Sequence, residues 1–133
     1  MGKLIVLEGI DGSGKSAQYR RLCARFEREG IDYHSIVFPR YDQESSALIR
    51  MYLNGDFGEK PDDVNPCAAS IFYAVDRYAS YMTDWKSAYE GGGIILSDRY
   101  TTSNAVHQGA KLPAAEQPAF FDWLYDLEYV KLG

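Results

Sequence analysis

Residues Gly9 to Ser16 read G-I-D-G-S-G-K-S, which fits the pattern G-x-x-x-x-G-K-[ST]. The residues before this stretch, 3–8, read K-L-I-V-L-E and predict a short buried strand. Residues 16–29 predict a helix, because apolar side chains recur at the helical spacing at Tyr19, Leu22, Cys23 and Phe26. Gly30 stands where that helix is expected to end. A strand, a glycine-rich loop and a helix in this order predict a loop that binds phosphate groups.

The residue types of this loop suit the phosphates of a nucleoside triphosphate. Its glycines let backbone N–H groups approach phosphate oxygens, and the helix N-terminus adds partial positive charge. Lys15 is expected to bridge the terminal phosphates, and the Ser16 hydroxyl is expected to bind Mg²⁺. The predicted phosphate contacts are Gly9, Ile10, Asp11, Gly12, Ser13, Gly14, Lys15 and Ser16. The alternative is an ordinary glycine-rich turn, which the preceding strand and the terminal G-K-S disfavour.

The composition restricts the class of protein. The 133 residues suffice for one domain, and the net charge of −5, from 14 basic and 19 acidic residues, argues against a nucleic-acid surface. The two cysteines, Cys23 and Cys67, lack metal-ligand spacing and indicate reduced thiols in a cytoplasmic protein. The chain enters its first strand at once and has no apolar run of membrane length. We therefore expect small-molecule partners, without a membrane or a nucleic-acid polymer.

Strands alternate with helices along the rest of the chain. Further strands are predicted at residues 33–38 and 94–98, and further helices at residues 45–53, 66–89, 102–109 and 116–130. This alternation predicts an α/β fold with a parallel sheet.

Two of the predicted helices have an apolar side that we expect to face the core. In the helix over 66–89 this side comprises Ala68, Ile71, Phe72, Val75, Ala79 and Met82. In the helix over 116–130 it comprises Phe120, Trp123, Leu124, Leu127 and Val130.

Asp98-Arg99-Tyr100 directly follows the third predicted strand. Ligands of open parallel sheets bind beyond the carboxyl ends of the strands. Asp98 is therefore a candidate to hold the water shell of Mg²⁺ beside Ser16, and Arg99 is a candidate to reach a phosphate. The alternative is a helix-capping aspartate followed by a solvated arginine.

Three further groups of residues suit a nucleotide. Tyr73 and Arg77 are four apart on a predicted helix, so the ring could stack on a base while the guanidinium hydrogen-bonds the edge of that base. The alternative is that Tyr73 lies at the rim of the core and Arg77 pairs with Asp76 or Asp84.

Arg40, in F-P-R-Y, is a candidate phosphate clamp or else a surface arginine in a turn. In the helix after Asp98, Asn104 can present a donor and an acceptor to a base, and His107 is expected to line the pocket. Ser103 lies beside them.

Four segments together resemble thymidylate kinases: G-I-D-G-S-G-K-S, F-P-R-Y, F-Y-A-V-D-R and D-R-Y-T-T-S-N-A. The resemblance covers all 133 residues. It implies a P-loop NTPase fold with three α/β/α layers, a parallel sheet with strand order 2-3-1-4-5, and a homodimer formed through the helices over 66–89 and 116–130. The implied activity is transfer of the ATP γ-phosphate to dTMP with ATP and Mg²⁺ bound. Residues 1–133 would then be the N-terminal portion of the kinase domain, truncated after about three strands, without the lid.

The resemblance also implies roles for single residues. Asp11 would contact the sugar 3′-hydroxyl, and His107 would lie near the sugar 2′ position, where several members have tyrosine. Tyr73 would stack on thymine, where the family usually has phenylalanine. The implied acceptor-phosphate ligands are Arg40, Tyr41 and Arg99, the implied base contacts are Arg77, Ser103 and Asn104, and the implied catalytic residues are Lys15, Asp98 and Arg99.

The loop contains no arginine, so the resemblance is to the type of thymidylate kinase whose catalytic arginine comes from a later lid. We therefore expect negligible kinase activity from residues 1–133 alone. Two alternatives stay open at this point: a deoxynucleoside kinase, which would need a carboxylate base for the 5′-hydroxyl, and a catalytically incomplete nucleotide-binding fragment.

Overall fold

The computed structural model describes every residue from Met1 to Gly133. The strands are β1 (Lys3–Leu7), β2 (His34–Val37) and β3 (Ile94–Asp98). The helices are α1 (Lys15–Glu29), α2 (Ala47–Leu53), α3 (Pro66–Ser80), α4 (Lys86–Glu90), α5 (Thr101–Gly109) and α6 (Gln117–Asp126). Short 3₁₀ turns lie at Glu44–Ser46 and Pro61–Asp63, and π-helical turns at Tyr81–Trp85 and Leu127–Lys131. No helix combines the length and the apolar character needed to cross a membrane.

The three strands form one parallel sheet in the order β1-β3-β2. This is the 2-3-1 part of the predicted strand order, which is confirmed. Leu7 of β1 and Val37 of β2 both lie opposite Asp98 of β3, so the carboxyl ends of all three strands meet at one edge. The residues that follow β1 and β3 therefore lie together at that edge.

The chain divides into two compact units, described here separately. The first unit contains Met1–Phe38 and Ser80–Tyr100, and the second contains Pro39–Ala79 and Thr101–Gly133.

The sheet of the first unit has helices on both faces. On one face, the side chains of Leu4, Ile36 and Ile95 pack around Trp85 of the π-helical turn. Side chains alternate between the faces of a strand, so Leu96 points to the other face, where α1 lies. Tyr19 of α1 donates hydrogen bonds to the backbone oxygens of Leu96 (3.0 Å) and Ile36 (3.3 Å). Burial raises the pKa of Tyr19 to about 12, so this contact to the sheet persists at neutral pH.

The core of the second unit lies between α5 and α6. Ala105, Phe120 and Leu124 are buried there, and partly buried Cys67, Leu112, Phe121 and Trp123 pack against them. The predicted start of α3 is confirmed, because Asn65 Oδ1 accepts hydrogen bonds from the backbone N–H groups of Cys67 (2.8 Å) and Ala68 (3.2 Å).

The prediction that the apolar side of the helix over 66–89 faces the core is wrong for Ile71, Val75 and Met82, while Ala68, Phe72 and Ala79 are partly buried. Ile71 and Val75 are 44% and 45% exposed, and Met82, in the π-helical turn, is 46% exposed. The inward side instead carries Ala69, Ser70, Ala74, Asp76 and Arg77. The polar members of this side have hydrogen-bond partners, which offset the cost of their burial. Periodicity identified an apolar side of the helix but not what covers it.

The predicted apolar side of the last helix is right for Phe120 and Leu124 and wrong for Val130, which is 68% exposed. The chain leaves α6 through a π-helical turn, in which Leu132 N–H donates to Leu127 O five residues back. This wider turn changes the helical spacing. Glu128 is buried four residues after Leu124, where the apolar pattern gave it no role.

Candidate phosphate and nucleotide site

The glycine-rich loop of the first unit ends at the N-terminus of α1. Gly14, the residue before this helix, has a left-handed backbone (φ 88°), which a side chain would strain. The first backbone N–H groups of α1 lack intrahelical partners, and its first turn contains no acidic residue. These N–H groups and the helix dipole favour an anion at this position.

Lys15 forms an ion pair with Asp98, and both side chains are largely buried, at 8% and 15% exposure. The pair joins the first residue of α1 to the last residue of β3. Lys15 and Asp98, which lie far apart in the sequence, are thus brought together at the carboxyl edge of the sheet, as predicted.

A magnesium ion would find a limited set of protein ligands here. No cluster of three or more His, Cys, Asp or Glu side chains could hold a metal ion by itself. Mg²⁺ usually combines one or two carboxylates with substrate phosphates and water. The Asp98 carboxylate and the exposed Ser16 hydroxyl match this requirement, so these residues fit a nucleotide-bound Mg²⁺.

Arg99 has an unusual backbone conformation. Its φ is 69°, and it is the only residue other than glycine with a positive φ. Hydrogen bonds hold the turn: Arg99 N–H donates to Leu7 O (3.0 Å), and Tyr100 N–H donates to Glu8 Oε1 (2.9 Å). The fully buried Ser97 hydroxyl donates to Arg99 O (2.6 Å). Strained residues of this kind concentrate at functional sites.

The side chain of Arg99 forms an ion pair with Asp11 of the loop (Nη2 to Oδ1, 3.1 Å). Both residues are predicted ligands of the acceptor nucleotide. The first unit thus brings together Asp11, Lys15, Asp98 and Arg99.

We expect Ser97→Ala to lower the free energy of unfolding by about 1–2 kcal/mol, because the strained turn loses a buried hydrogen bond. Urea denaturation measures this loss. Ser87→Ala, at an exposed position of α4, is the control. A loss no larger than that of the control would show that Ser97 does not support the turn.

In the second unit, Arg40 is held by a buried carboxylate. Its backbone N–H donates to Asp76 Oδ2 (2.8 Å), its Nε lies 3.4 Å from Asp76 Oδ1, and its Nη2 donates to Ser45 Oγ (3.1 Å). Arg50 Nη1 donates to the backbone oxygen of the exposed Tyr41 (2.7 Å). The loop that carries Arg40 and Tyr41 is therefore fixed by hydrogen bonds at both residues.

Arg77 is 3% exposed and binds Glu128 through two guanidinium nitrogens. The alternative pairing of Arg77 with Asp76 or Asp84 is wrong. Asp76 binds Arg40 and Ser45, and Asp84 lies 3.0 Å from His34. The position of Glu128 four residues after Leu124 was a usable signal that it lies on the inward side, but its pairing with Arg77, 51 residues away, had none.

Tyr73, the predicted stacking residue, is half-buried and packs edge-on against Tyr52, with 6.4 Å between ring centroids. Its neighbour Phe72 packs against Phe57 instead, at 5.5 Å. The two adjacent rings thus have different surroundings, while the stacking role of Tyr73 stays a prediction.

Helix α5 carries the remaining predicted residues. His107 Nδ1 lies 2.7 Å from Ser103 O, which requires the ring proton on Nδ1. Asn104 Nδ2 donates to Ser70 Oγ (2.9 Å), but Asn104 Oδ1 is buried without a hydrogen-bond partner. Gln108 Oε1, one turn later, is buried without a partner as well.

Gln108 had no predicted role, although its position four residues after Asn104 was a usable signal. Buried acceptors without a donor are rare. The side-chain oxygens of Asn104 and Gln108, one turn apart on α5, are suited to a ligand that carries N–H donors.

The family model described as thymidylate kinase matches residues 7–117. Thymidylate kinase of Mycobacterium tuberculosis is 30% identical over 131 residues, which are 98% of this chain and 60% of that protein. A probable thymidylate kinase of Methanosarcina barkeri is 36% identical over 129 residues, which are 95% of this chain and 58% of that protein. The solved structure of thymidylate kinase from Candida albicans superposes with a TM-score of 0.71 at 26% identity, covering 94% of this chain and 56% of that one.

This chain spans about 60% of the length of the curated relatives that it matches. The match nevertheless includes the end of β1, the phosphate loop, β3 and the whole of α5. The three-stranded parallel sheet with its flanking helices is the fold expected of this group. The chain belongs to the thymidylate kinase family.

Proposed function

We propose that this protein transfers the γ-phosphate of ATP to dTMP and so produces dTDP. The observation that carries the proposal is the phosphate loop of the first unit, where Lys15 lies against Asp98 at the carboxyl edge of the sheet. Family membership supports dTMP as the acceptor.

The mechanism is in-line phosphoryl transfer, which depends on positioning and electrostatic stabilisation and needs no protein nucleophile. Lys15 moves from Asp98 to the terminal phosphates and neutralises charge there. Ser16 and Asp98 would hold Mg²⁺, which supplies further positive charge at the phosphates. Arg99 exchanges Asp11 for the acceptor phosphate and orients it, and Asp11 then accepts a hydrogen bond from the sugar 3′-hydroxyl.

The second unit contributes the recognition of the acceptor. Arg40 and Tyr41 bind its phosphate, Tyr73 stacks on the base, and Arg77 donates to a base carbonyl. The unpaired oxygens of Asn104 and Gln108 are supporting observations, because thymine carries an N3–H donor. Ser103 and His107 line the same helix, with His107 near the sugar.

The test compares dTMP with thymidine as the acceptor. The product of the gene that carries this sequence is purified, and ADP formation is followed with each acceptor. We expect dTMP to be used faster, and expression of the gene should restore growth to a host that lacks thymidylate kinase. Faster turnover of thymidine would instead show a deoxynucleoside kinase. A Lys15→Ala preparation controls for contaminating kinases.

We also propose that two copies of the protein associate through α3. Ile71, Val75 and Tyr78 form an apolar strip of 44–45% exposed side chains along one side of α3. Exposed apolar strips of this kind mark protein interfaces.

The unpaired cysteines Cys23 and Cys67 support a cytoplasmic location of the protein.

Val75→Asp is expected to convert the dimer to a monomer, because a charge in an apolar interface is buried without a partner. Sedimentation velocity measures the mass of the species in solution. Val106→Asp, at a 57% exposed valine of α5, should leave the mass unchanged. A Val75→Asp protein that stays dimeric would place the interface elsewhere.

A further inference from the structure

A buried carboxylate lies directly behind Arg77. Arg77 Nε donates to both oxygens of Glu128, at 2.9 and 3.0 Å, and Arg77 Nη2 donates to Oε1. Thr101, the first residue of α5, contacts Oε2 through its hydroxyl (3.3 Å). Glu128 is 8% exposed and Thr101 is fully buried. The guanidinium of Arg77 is thus held in one plane along its Nε–Nη2 edge.

The pair also sets the local charge. An arginine is positively charged at any physiological pH and can only donate hydrogen bonds. Glu128 balances that charge within a buried environment. Arg40 and Arg99 also pair with a carboxylate, so what distinguishes Arg77 is the contact of two guanidinium nitrogens with one buried carboxylate.

Arg40 provides the contrast within the same unit. Its Nε lies 3.4 Å from Asp76 Oδ1, and Asp76 also accepts from the backbone N–H of Arg40 and from Ser45 Oγ. Asp76 thus holds both the loop and the Nε of Arg40, while Arg40 Nη2 donates to Ser45 Oγ. The difference is that one carboxylate accepts from two guanidinium nitrogens of Arg77, whereas Asp76 accepts from only one guanidinium nitrogen of Arg40.

We propose that Glu128 is a positioning residue that sets the base specificity of this protein through Arg77. Because Glu128 fixes one edge of the guanidinium, the other N–H bonds of Arg77 have constant directions. They favour a pyrimidine with a carbonyl oxygen at C4, as in thymine, over one with an amino group there, as in cytosine. The inference rests on the proposed function, since it takes dTMP as the ligand near Arg77.

The variant Glu128→Gln tests this directly. The glutamine amide has one acceptor oxygen, one NH₂ group and no charge, so Arg77 Nε loses one of the two oxygens to which it donates, and the ion pair is lost. The guanidinium is then held less firmly. Isothermal titration calorimetry measures the affinity for dTMP and for dCMP. We expect the preference for dTMP over dCMP to fall about tenfold, mainly through weaker dTMP binding.

Asp122→Asn is the matched control, because it makes the same change in charge at an exposed position of α6. Its preference should equal that of the wild type. A folded Glu128→Gln protein that keeps the wild-type ratio of the two affinities overturns the inference, since a purely structural role would alter stability and leave the ratio unchanged. If the wild-type protein binds thymidine more tightly than dTMP, the proposed function fails instead.

A measurement on the wild-type protein covers the case in which Glu128→Gln does not fold. The ¹⁵N resonance of Arg77 Nε, assigned through its side-chain carbons, reports whether this nitrogen stays bound to Glu128. We expect it to be protected from solvent exchange and to shift little when dTMP saturates the protein. Loss of protection on dTMP binding would show that Arg77 leaves Glu128 to meet the base, which overturns the inference.

Discussion

Replacing Lys15 with alanine is expected to lower the rate of phosphoryl transfer about a thousandfold, because charge developing on the transferred group loses its nearest fixed cation. In the proposed mechanism, the ammonium group of Lys15 leaves Asp98 to reach the terminal phosphates. Its side chain is 8% exposed, and it lies on Asp98 at the edge of the sheet where the phosphate loop begins. ADP formation by the product of the gene that carries this sequence, at saturating dTMP and Mg-ATP, measures the effect.

Two controls make the Lys15→Ala result specific. Lys86→Ala removes a partly exposed lysine whose Nζ lies 3.7 Å from Glu90 Oε1. Such surface ion pairs contribute little to stability. Its rate should stay within about twofold of the wild-type rate. Circular dichroism should show an unchanged fold for both variants. A folded Lys15→Ala protein with a rate near that of Lys86→Ala would remove Lys15 from the catalytic machinery.

The sequence predicted the region around the phosphate loop well, because local rules govern it. The G-x-x-x-x-G-K-S pattern, the buried strand before it and Gly30 after α1 each restrict a short segment of backbone. The position of β3 between β1 and β2 then places Asp98 and Arg99 beside the loop. The left-handed backbone of Arg99 had no signal in the sequence, since residues with side chains seldom adopt it.

The second unit was harder to predict, because the residues on the inward side of α3 form polar pairs with residues far away in the sequence. Asp76 and Arg77 are buried on α3 through partners that lie 31 to 51 residues away in the sequence. The spacing of apolar residues along one helix does not indicate a polar partner that lies far away in the sequence. An apolar side such as that of Ile71 and Val75 has the same period whether it meets the core or remains exposed.

Replacing Glu128 with leucine is expected to lower the free energy of unfolding by about 3–5 kcal/mol, since it leaves the charge of Arg77 buried without a partner. This is a large part of the stability of a typical domain. The double variant Arg77→Met with Glu128→Leu should recover most of the loss, because the removal of both charges also removes their desolvation cost. Urea denaturation of the two single variants and the double variant gives the coupling energy between the two side chains.

The exposed pair Arg25–Glu29 serves as the control for this cycle. Its Nε and Oε1 atoms are 2.8 Å apart, but the side chains are 64% and 41% exposed, so the same replacements there should change stability by less than about 1 kcal/mol. A similar small coupling at Arg77 and Glu128 would mean that water screens this pair as well. If the coupling energy between Arg77 and Glu128 is large, as expected, the double variant separates the contribution of the pair to stability from its contribution to base recognition. It should be stable and yet bind dTMP and dCMP with similar affinity, because the stability that the pair provides can be replaced by apolar packing, whereas the oriented donors of Arg77 cannot.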